Sequence, residues 1–248
     1  IFIESPTNPM MSISDIRAIS NFASEKNILV AVDNTFMSPY FQRPLEMGAN
    51  IVIHSTTKYL NGHSDVIGGA VVTSTKEIGE QLHYIQMSVG AVPGPFDCWL
   101  TQRSIKTLHL RMKRHDENGR ALAEYLDKSK LIKKVYYPGL KTHPHHELAK
   151  RQQVDPYGNY GFGGMISIDI GSFSKATQFV SRLDIFTLAE SLGGVESLIC
   201  HPAKMTHASL SKDRRGELGI SDGLLRLSVG VEHIDDIIED IDSALQKA

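Results

Sequence analysis

The chain has 248 residues, 41% of them hydrophobic, and a net charge of −2 with histidine neutral. That length buries a sizeable core as one large domain or two unequal ones, and two is the preferred arrangement. The near-neutral charge, without a basic block, argues against a nucleic-acid surface, and no stretch approaches the about 20 apolar residues of a membrane span. Cys98 and Cys200 lie far apart in no metal-like spacing, which suits a reducing compartment and makes the cytoplasm the expected location.

Ile1-Phe2-Ile3 reads as a strand with no polar lead-in, so an upstream segment is expected to precede it, in the same chain or as a separate piece. Turn chemistry follows in Glu4-Ser5-Pro6-Thr7-Asn8-Pro9. Ser14 and Asp15 open an amphipathic helix through Ile16, Ile19, Phe22 and Ala23, ending near Lys26-Asn27. Ile28-Leu29-Val30-Ala31-Val32, nearly all apolar, predicts a strand buried on both faces of a parallel sheet and terminated by Asp33. A short helix closed by Gly48, a strand over Ile51-Val52-Ile53-His54 and another over Gly69-Ala70-Val71-Val72-Thr73 continue an α/β pattern, with active residues expected on loops at the carboxyl ends of the strands.

Residues 101–126 read as one long helix with an irregularity, of the kind that bridges domains. Lys134-Val135-Tyr136 predicts a strand, and 141–164 is polar and Gly-rich. An alternating strand over Met165-Ile166-Ser167-Ile168-Asp169-Ile170, a helix over 172–183 and the Glu190-Ser191-Leu192-Gly193-Gly194 loop follow. The remaining elements are a strand over 224–229 with Arg226 flanked by apolar residues, and an amphipathic helix over 233–248.

Asp33 and Lys58 each stand just past an apolar run, and together they suit pyridoxal phosphate: the lysine can form a Schiff base with the aldehyde, and a buried aspartate can keep the pyridine nitrogen protonated. Ser55, Thr56 and Thr57 precede the lysine, and hydroxyls at a strand end can accept a phosphate beside backbone amides. Taken alone, Ser-Thr-Thr-Lys is better explained as a turn cap; Asp33 on the preceding strand tips the reading to the cofactor.

The segments ESPTNP, VDNTFMSPYFQRPLEMGANIVIHSTTKYLNGHSD, AESLGGVESLICHPAKMTHASL and LLRLSVGVE closely resemble the Cys/Met-metabolism family of pyridoxal-phosphate enzymes, which includes cystathionine γ-lyase, γ-synthase and β-lyase and methionine γ-lyase. The resemblance runs from residue 1 to the end. It implies a fold-type-I large domain with a mixed, mostly parallel sheet, 1–110 being its C-terminal portion, a smaller α+β domain over 111–248, and a tetramer of closely paired dimers. It makes Lys58 the Schiff-base lysine and proton shuttle, Asp33 the partner of the pyridine nitrogen, and Ser55 and Thr57 phosphate ligands. Asn8 would sit near the cofactor's phenolic oxygen and the substrate carboxylate, and Arg226, helped by Ser191, would grip that carboxylate. An arginine inside an apolar strand wants such a partner, although a structural ion pair would also satisfy it. Glu190 would hold the distal amino group of cystathionine, or would only cap the following turn.

The expected activity is γ-elimination on cystathionine, giving cysteine, 2-oxobutanoate and ammonia. The alternatives are the γ-synthase reaction, in which cysteine replaces the acyl group of an acylated homoserine, and, more remotely, a non-catalytic relic serving assembly. In the family a glycine-containing phosphate loop, a ring-stacking Tyr and a Tyr and Arg from the neighbouring subunit lie upstream of PTNP, so these 248 residues are expected to be catalytically incomplete by themselves. No metal is assigned: His143, His145 and His146 read as a solvated, Pro-broken loop. His201 and His207 have no identifiable partner, and the Gly-rich stretches lack the context of a dinucleotide site.

Overall fold

Two sheets carry the architecture of the computed structural model, which describes residues 1–247. Strands β1 (Phe2–Glu4), β2 (Ala31–Asp33), β3 (Ile51–Ser55) and β4 (Gly69–Thr73) form the first sheet in that order. The first three are parallel, with Ile3 opposite Val32 and Val32 opposite Val52, and β4 returns antiparallel to β3. Parallel strands finish at a common edge, so Asp33 and Ser55 emerge side by side at the carboxyl ends, where α/β folds hold ligands.

Helix α1 (Ile16–Ser24) covers this sheet because its inward residues, Ile16 and Ala23, meet Val30, Val32 and Ala49 in one buried cluster. The Asp15 carboxylate accepts the Ala18 N–H at 2.9 Å and fixes its start, a cap worth about 1 kcal/mol. A short helix α2 (Ser38–Phe41) follows, then a tighter turn over Pro44–Met47 closed by Gly48 at φ 98°, a left-handed position that favours glycine. The strand expected over 28–32 is shorter: the ladder with β1 engages only Ala31 to Asp33, and Ile28 and Leu29 stand exposed beyond the left-handed Asn27. After β4 comes α3 (Lys76–Val89), which sequence reading passed over and which has no buried residue.

The long helix expected over 101–126 is two, α4 (Pro95–Ile105) and α5 (Leu108–Lys128), separated at Lys106 and Thr107. Thr107 turns back on the end of α4, its N–H and hydroxyl both donating to Ser104 O. Helix α5 then packs against both regions of the molecule. Its early residues Leu108 and Met112 join a cluster with Met37, Tyr59, Leu60 and Leu192, and its late residues Leu122, Ala123 and Leu126 join the largest core.

That core backs the second sheet, built from β5 (Lys134–Tyr136), β6 (Met165–Asp169), β7 (Thr187–Leu188), β8 (Leu198–Cys200) and β9 (Leu224–Ser228) in the order β5-β6-β9-β8-β7. All residues of β6 and β9 are buried, so the alternation read in 165–170 is one of residue type and not of exposure. Between β5 and β6 the polar, Gly-rich stretch holds α6 (His146–Gln152). Helices α7 (Phe173–Val180), capped by Ser172, and α9 (Ile234–Gln246), capped by His233, bury Phe179, Ile237 and Ile241 against the sheet, and the short α8 (Lys212–Glu217) precedes β9.

The histidines expected in a solvated loop are structural fasteners. His143 is buried and its Nδ1 accepts the His145 N–H, His145 Nδ1 accepts the Ile13 N–H at 3.0 Å, and His146 Nδ1 donates to Pro138 O at 2.8 Å. Among the described residues no group of acidic, His and Cys side chains is arranged to hold a metal, and no helix is long and apolar enough to cross a membrane. Both cysteines are free thiols.

Gly119 marks the closest approach of α5 to the loop before β6. A Cβ there would lie 2.5 Å from Gly163 O and 3.2 Å from Gly164 Cα, backbone atoms that cannot step aside cheaply. Alanine is the better helix former by about 1 kcal/mol, yet Gly119→Ala is expected to lose about 2 kcal/mol net, because overpacking against backbone outweighs propensity. Urea unfolding of the two proteins checks this; a more stable variant would show that the loop yields.

Candidate functional site

The turn after β3 carries Lys58. Residues Thr56–Leu60 form a wide helical turn interrupted at Lys58, whose ψ of −136° is not helical. Buried Tyr59 and Leu60 pull the turn into the core, and the Asn61 and Gly62 N–H groups close it on Thr56 O and Lys58 O at 3.0 and 2.7 Å. The lysine side chain lines a cavity of about 910 Å³, as do Asn8, Thr57, Glu190, Ser191 and Arg226. Five sequence-chosen positions therefore meet the lysine around one space, although Asn8 and Arg226 are 218 residues apart.

Lys58 Nζ donates to Ser191 Oγ at 3.3 Å. Burial lowers the lysine's pKa from its ordinary value, the Arg226 charge lowers it further, and Glu190 opposes both. An amine held this way is more readily neutral, which is what a nucleophile and base require.

Arg226 enters the cavity from β9 and is 1% exposed. One arm donates to Asn8 Oδ1 at 3.1 Å; the other donates to Glu190 O at 2.7 Å and Ser191 O at 3.1 Å, while Nε has no partner among the described residues. Among the described residues it forms no ion pair with any carboxylate. The structural ion pair weighed for this arginine is therefore not found, and a buried guanidinium held only by neutral acceptors remains free to take an anion. Glu190 contributes its carbonyl to Arg226, and its exposed side chain stands at the cavity wall.

Asp33 and Ser55 do not line this cavity. Asp33 is opposite Ile53, two residues before Ser55, so the alternation of strand side chains puts Asp33 and Ser55 on one face of the sheet. Thr35 joins them: its N–H donates to Asp33 Oδ1 at 2.9 Å, and its hydroxyl accepts the Ser55 N–H at 2.9 Å. Thr57 is braced by the neighbouring loop, its Oγ1 accepting the Gly68 N–H at 3.0 Å.

Several site-building residues were not singled out from sequence. Glu4, opposite Asp33 in the ladder, accepts the Asn8 N–H at 3.0 Å, and burial followed by the Asp33 charge raises its pKa against that bond. Ser167, opposite Arg226 on β6, donates to Pro9 O at 2.6 Å and ties down the same turn. Only Thr35 carried a local signal, since a residue two positions after an aspartate is where an Asx turn forms. His201 donates from Nε2 to Asp222 O, His207 pairs with the Thr206 hydroxyl, and neither bonds to Lys58.

Comparison with known proteins supplies the family. The family model described as Cys/Met metabolism PLP-dependent enzyme matches residues 1–246. A cystathionine gamma-lyase of Bacillus subtilis is 54% identical over 246 residues, 99% of this chain and 63% of the relative. A cystathionine beta-lyase of Lactococcus lactis is 53% identical over 247 residues, 100% of this chain and 63% of the relative. The crystal structure of cystathionine gamma synthase from Xanthomonas oryzae, in complex with aminoacrylate and cysteine, superposes with a TM-score of 0.95 at 49% identity, covering 99% of this chain and 62% of that one. The chain thus spans somewhat under two thirds of the length of these relatives, and it belongs to the Cys/Met metabolism family of pyridoxal-phosphate-dependent enzymes.

Proposed function

We propose that the protein carries out γ-elimination on cystathionine, giving cysteine, 2-oxobutanoate and ammonia. The observation that carries this reading is Arg226, without a counter-ion among the described residues, across the cavity from Lys58, a carboxylate receptor and an amine base in one space. Those two groups are what an α-amino acid substrate demands.

The residues fit the family's cofactor. Lys58 offers a pKa-lowered amine, Asp33 a carboxylate in no ion pair among the described residues, and Ser55 and Thr57 hydroxyl-bearing side chains at the strand end. When bound, pyridoxal phosphate supplies an aldehyde that condenses with amines and a ring that withdraws electrons from the substrate α-carbon. Asp33 would hold a proton at the pyridine nitrogen, and Ser55 and Thr57 would hold the phosphate. Arg226 would bind the substrate carboxylate through its fork, with Asn8 fixing the near arm. Lys58, steadied by Ser191, would take the proton from the α-carbon and move protons during departure of the γ-thiol. Glu190 at the wall would receive an ammonium at the far end of the substrate.

Two other readings draw on the relatives' names: replacement at the γ-carbon, as in the synthase, and cleavage on the other side of the sulfur, as in the β-lyases. Product assay separates all three. Cystathionine is expected to yield 2-oxobutanoate; pyruvate as the main keto acid would favour β-elimination, and a dominant reaction of acylated homoserine with cysteine would sink the lyase assignment. Lys58→Ala is expected to abolish both turnover and the visible absorbance of lysine-linked cofactor, about 420 nm in the unaltered protein.

A further inference from the structure

Arg111 is the second buried guanidinium of the molecule, and neither family resemblance nor sequence pattern assigned it a task. It projects from the first turn of α5, is 6% exposed, and forms no ion pair among the described residues. Instead, Nη1 donates to Tyr59 O at 2.6 Å, Nη2 donates to Leu60 O at 3.3 Å and Ser104 O at 3.0 Å, and Nε donates to Thr107 Oγ1 at 3.1 Å. Every nitrogen of the fork is used. The acceptors are the carbonyls of the two residues after Lys58, the Thr107 hydroxyl, and Ser104 O in the last turn of α4, which also takes the Thr107 N–H and hydroxyl; carbonyls at a helix end carry partial negative charge.

The seat is shaped for this group. Gly62 has φ +72°, and a Cβ there would clash with the guanidinium, lying 2.9 Å from Arg111 Cζ, so the group rests on bare backbone. One turn along α5, His115 meets the Tyr59 ring edge-on at 5.0 Å between centroids, so the same helix face holds the residue after Lys58 by backbone and by ring. Burying a cation without a carboxylate is costly, and burial alone lowers the pKa of Arg111 to about 10. Its four hydrogen bonds offset that cost and put the restraint beside the lysine.

We propose that Arg111 is a positioning residue for Lys58: it never touches substrate, but by clamping Tyr59 O and Leu60 O it holds the backbone that aims the amine. The inference rests on the role proposed above for Lys58. A group misplaced by about 1 Å loses about 10²-fold in rate, while binding contacts made elsewhere survive.

Amide hydrogen exchange and steady-state kinetics on the purified full-length protein, with the segment expected upstream of Ile1 present, test this. Arg111→Gln is expected to speed exchange at Asn61 and Gly62 by at least about 10-fold, leave Ile168 and Leu225 unchanged, and lower kcat by about 10²-fold with KM within about 3-fold. Arg111→Lys, with charge but no fork, is expected to fall between. Thr107→Val removes the acceptor of Nε and is expected to move the same amides and kcat less far, and it decides the matter should the Arg111 variants not fold. Unchanged exchange at Asn61 and Gly62 with unchanged kcat in the folded variants overturns the proposal, as does acceleration equally at Ile168 and Leu225. Retained turnover in Lys58→Ala would overturn the function proposed above, and that outcome is distinct from either result at Arg111.

Discussion

On the function proposed above, Arg226→Met is expected to lower kcat/KM for the amino-acid substrate by about 10³-fold, the worth of two charge-assisted hydrogen bonds at roughly 2 kcal/mol each. The same substitution is expected not to lower the unfolding temperature. Arg226 is fully buried, has an unpartnered Nε, and has no counter-ion among the described residues, so its solvation loss is only partly met by Asn8 and two carbonyls. Methionine fills much of the volume without a charge to desolvate. Activity and stability should thus move apart, as they do when a site is held ready for a ligand at a cost to the fold. Kinetics and a thermal scan on the same samples check both halves: a kcat/KM within about 10-fold of the unaltered protein would remove Arg226 from substrate recognition. A large drop in unfolding temperature would make it a structural pillar instead.

Acid is expected to unfold the protein through its buried histidines. His115 is fully buried on α5, with Nδ1 donating to Val229 O at 2.7 Å and Nε2 unpartnered, and burial lowers its pKa to about 4 against the ordinary 6.5. The unfolded chain takes up this proton first, so the stability is complete above about pH 6.5 and is lost as pH falls toward about 4, in total roughly 3 kcal/mol. His143, also held near 4 by burial and the neighbouring His145, titrates in the same direction. His115→Phe is expected to be less stable than the unaltered protein near neutrality, because Val229 O loses its donor, and to lose roughly 3 kcal/mol less on acidification. Urea midpoints at about pH 7 and about pH 4.5 measure the difference; an identical acid loss in the two proteins would place the sensitive groups elsewhere.

Several positions of the candidate site are legible because they are residue types rare in their settings. A lysine after three hydroxyl residues at a strand end, an aspartate closing an apolar run and an arginine within an apolar strand each stand out locally, and the structure brings Lys58 and Arg226 to one cavity. The supports are invisible for the opposite reason. Ser167 and Arg111 act on backbone atoms of residues distant in the chain, Glu4 acts on the Asn8 N–H within its own Pro-broken turn, and nothing in their neighbourhoods announces it. The fold errors have the same origin. Residues 28–32 look like a strand until the short partner β1 limits the ladder, and 101–126 look like one helix because periodicity survives a break that Thr107 makes with Ser104. Helix α3 carries Ile78, Leu82, Ile85 and Val89 at helical spacing, a stripe that sequence offers and that the structure leaves without a buried residue. The histidines of 143–146 were read as solvent-facing from their prolines and polarity, whereas their ring nitrogens hold backbone groups of 13, 138 and 145.

Ser191 meets the two reactive regions through different atoms, its hydroxyl accepting from Lys58 and its carbonyl accepting from Arg226. An anion arriving at the guanidinium competes with that carbonyl, and any rotation of the freed peptide is transmitted within one residue to the oxygen that steadies the amine. On the roles proposed above for Arg226 and Lys58, occupancy of the carboxylate seat and readiness of the proton carrier are thereby linked over the span of a single side chain. Empty and filled states can differ in the freedom of Lys58 without either sheet moving.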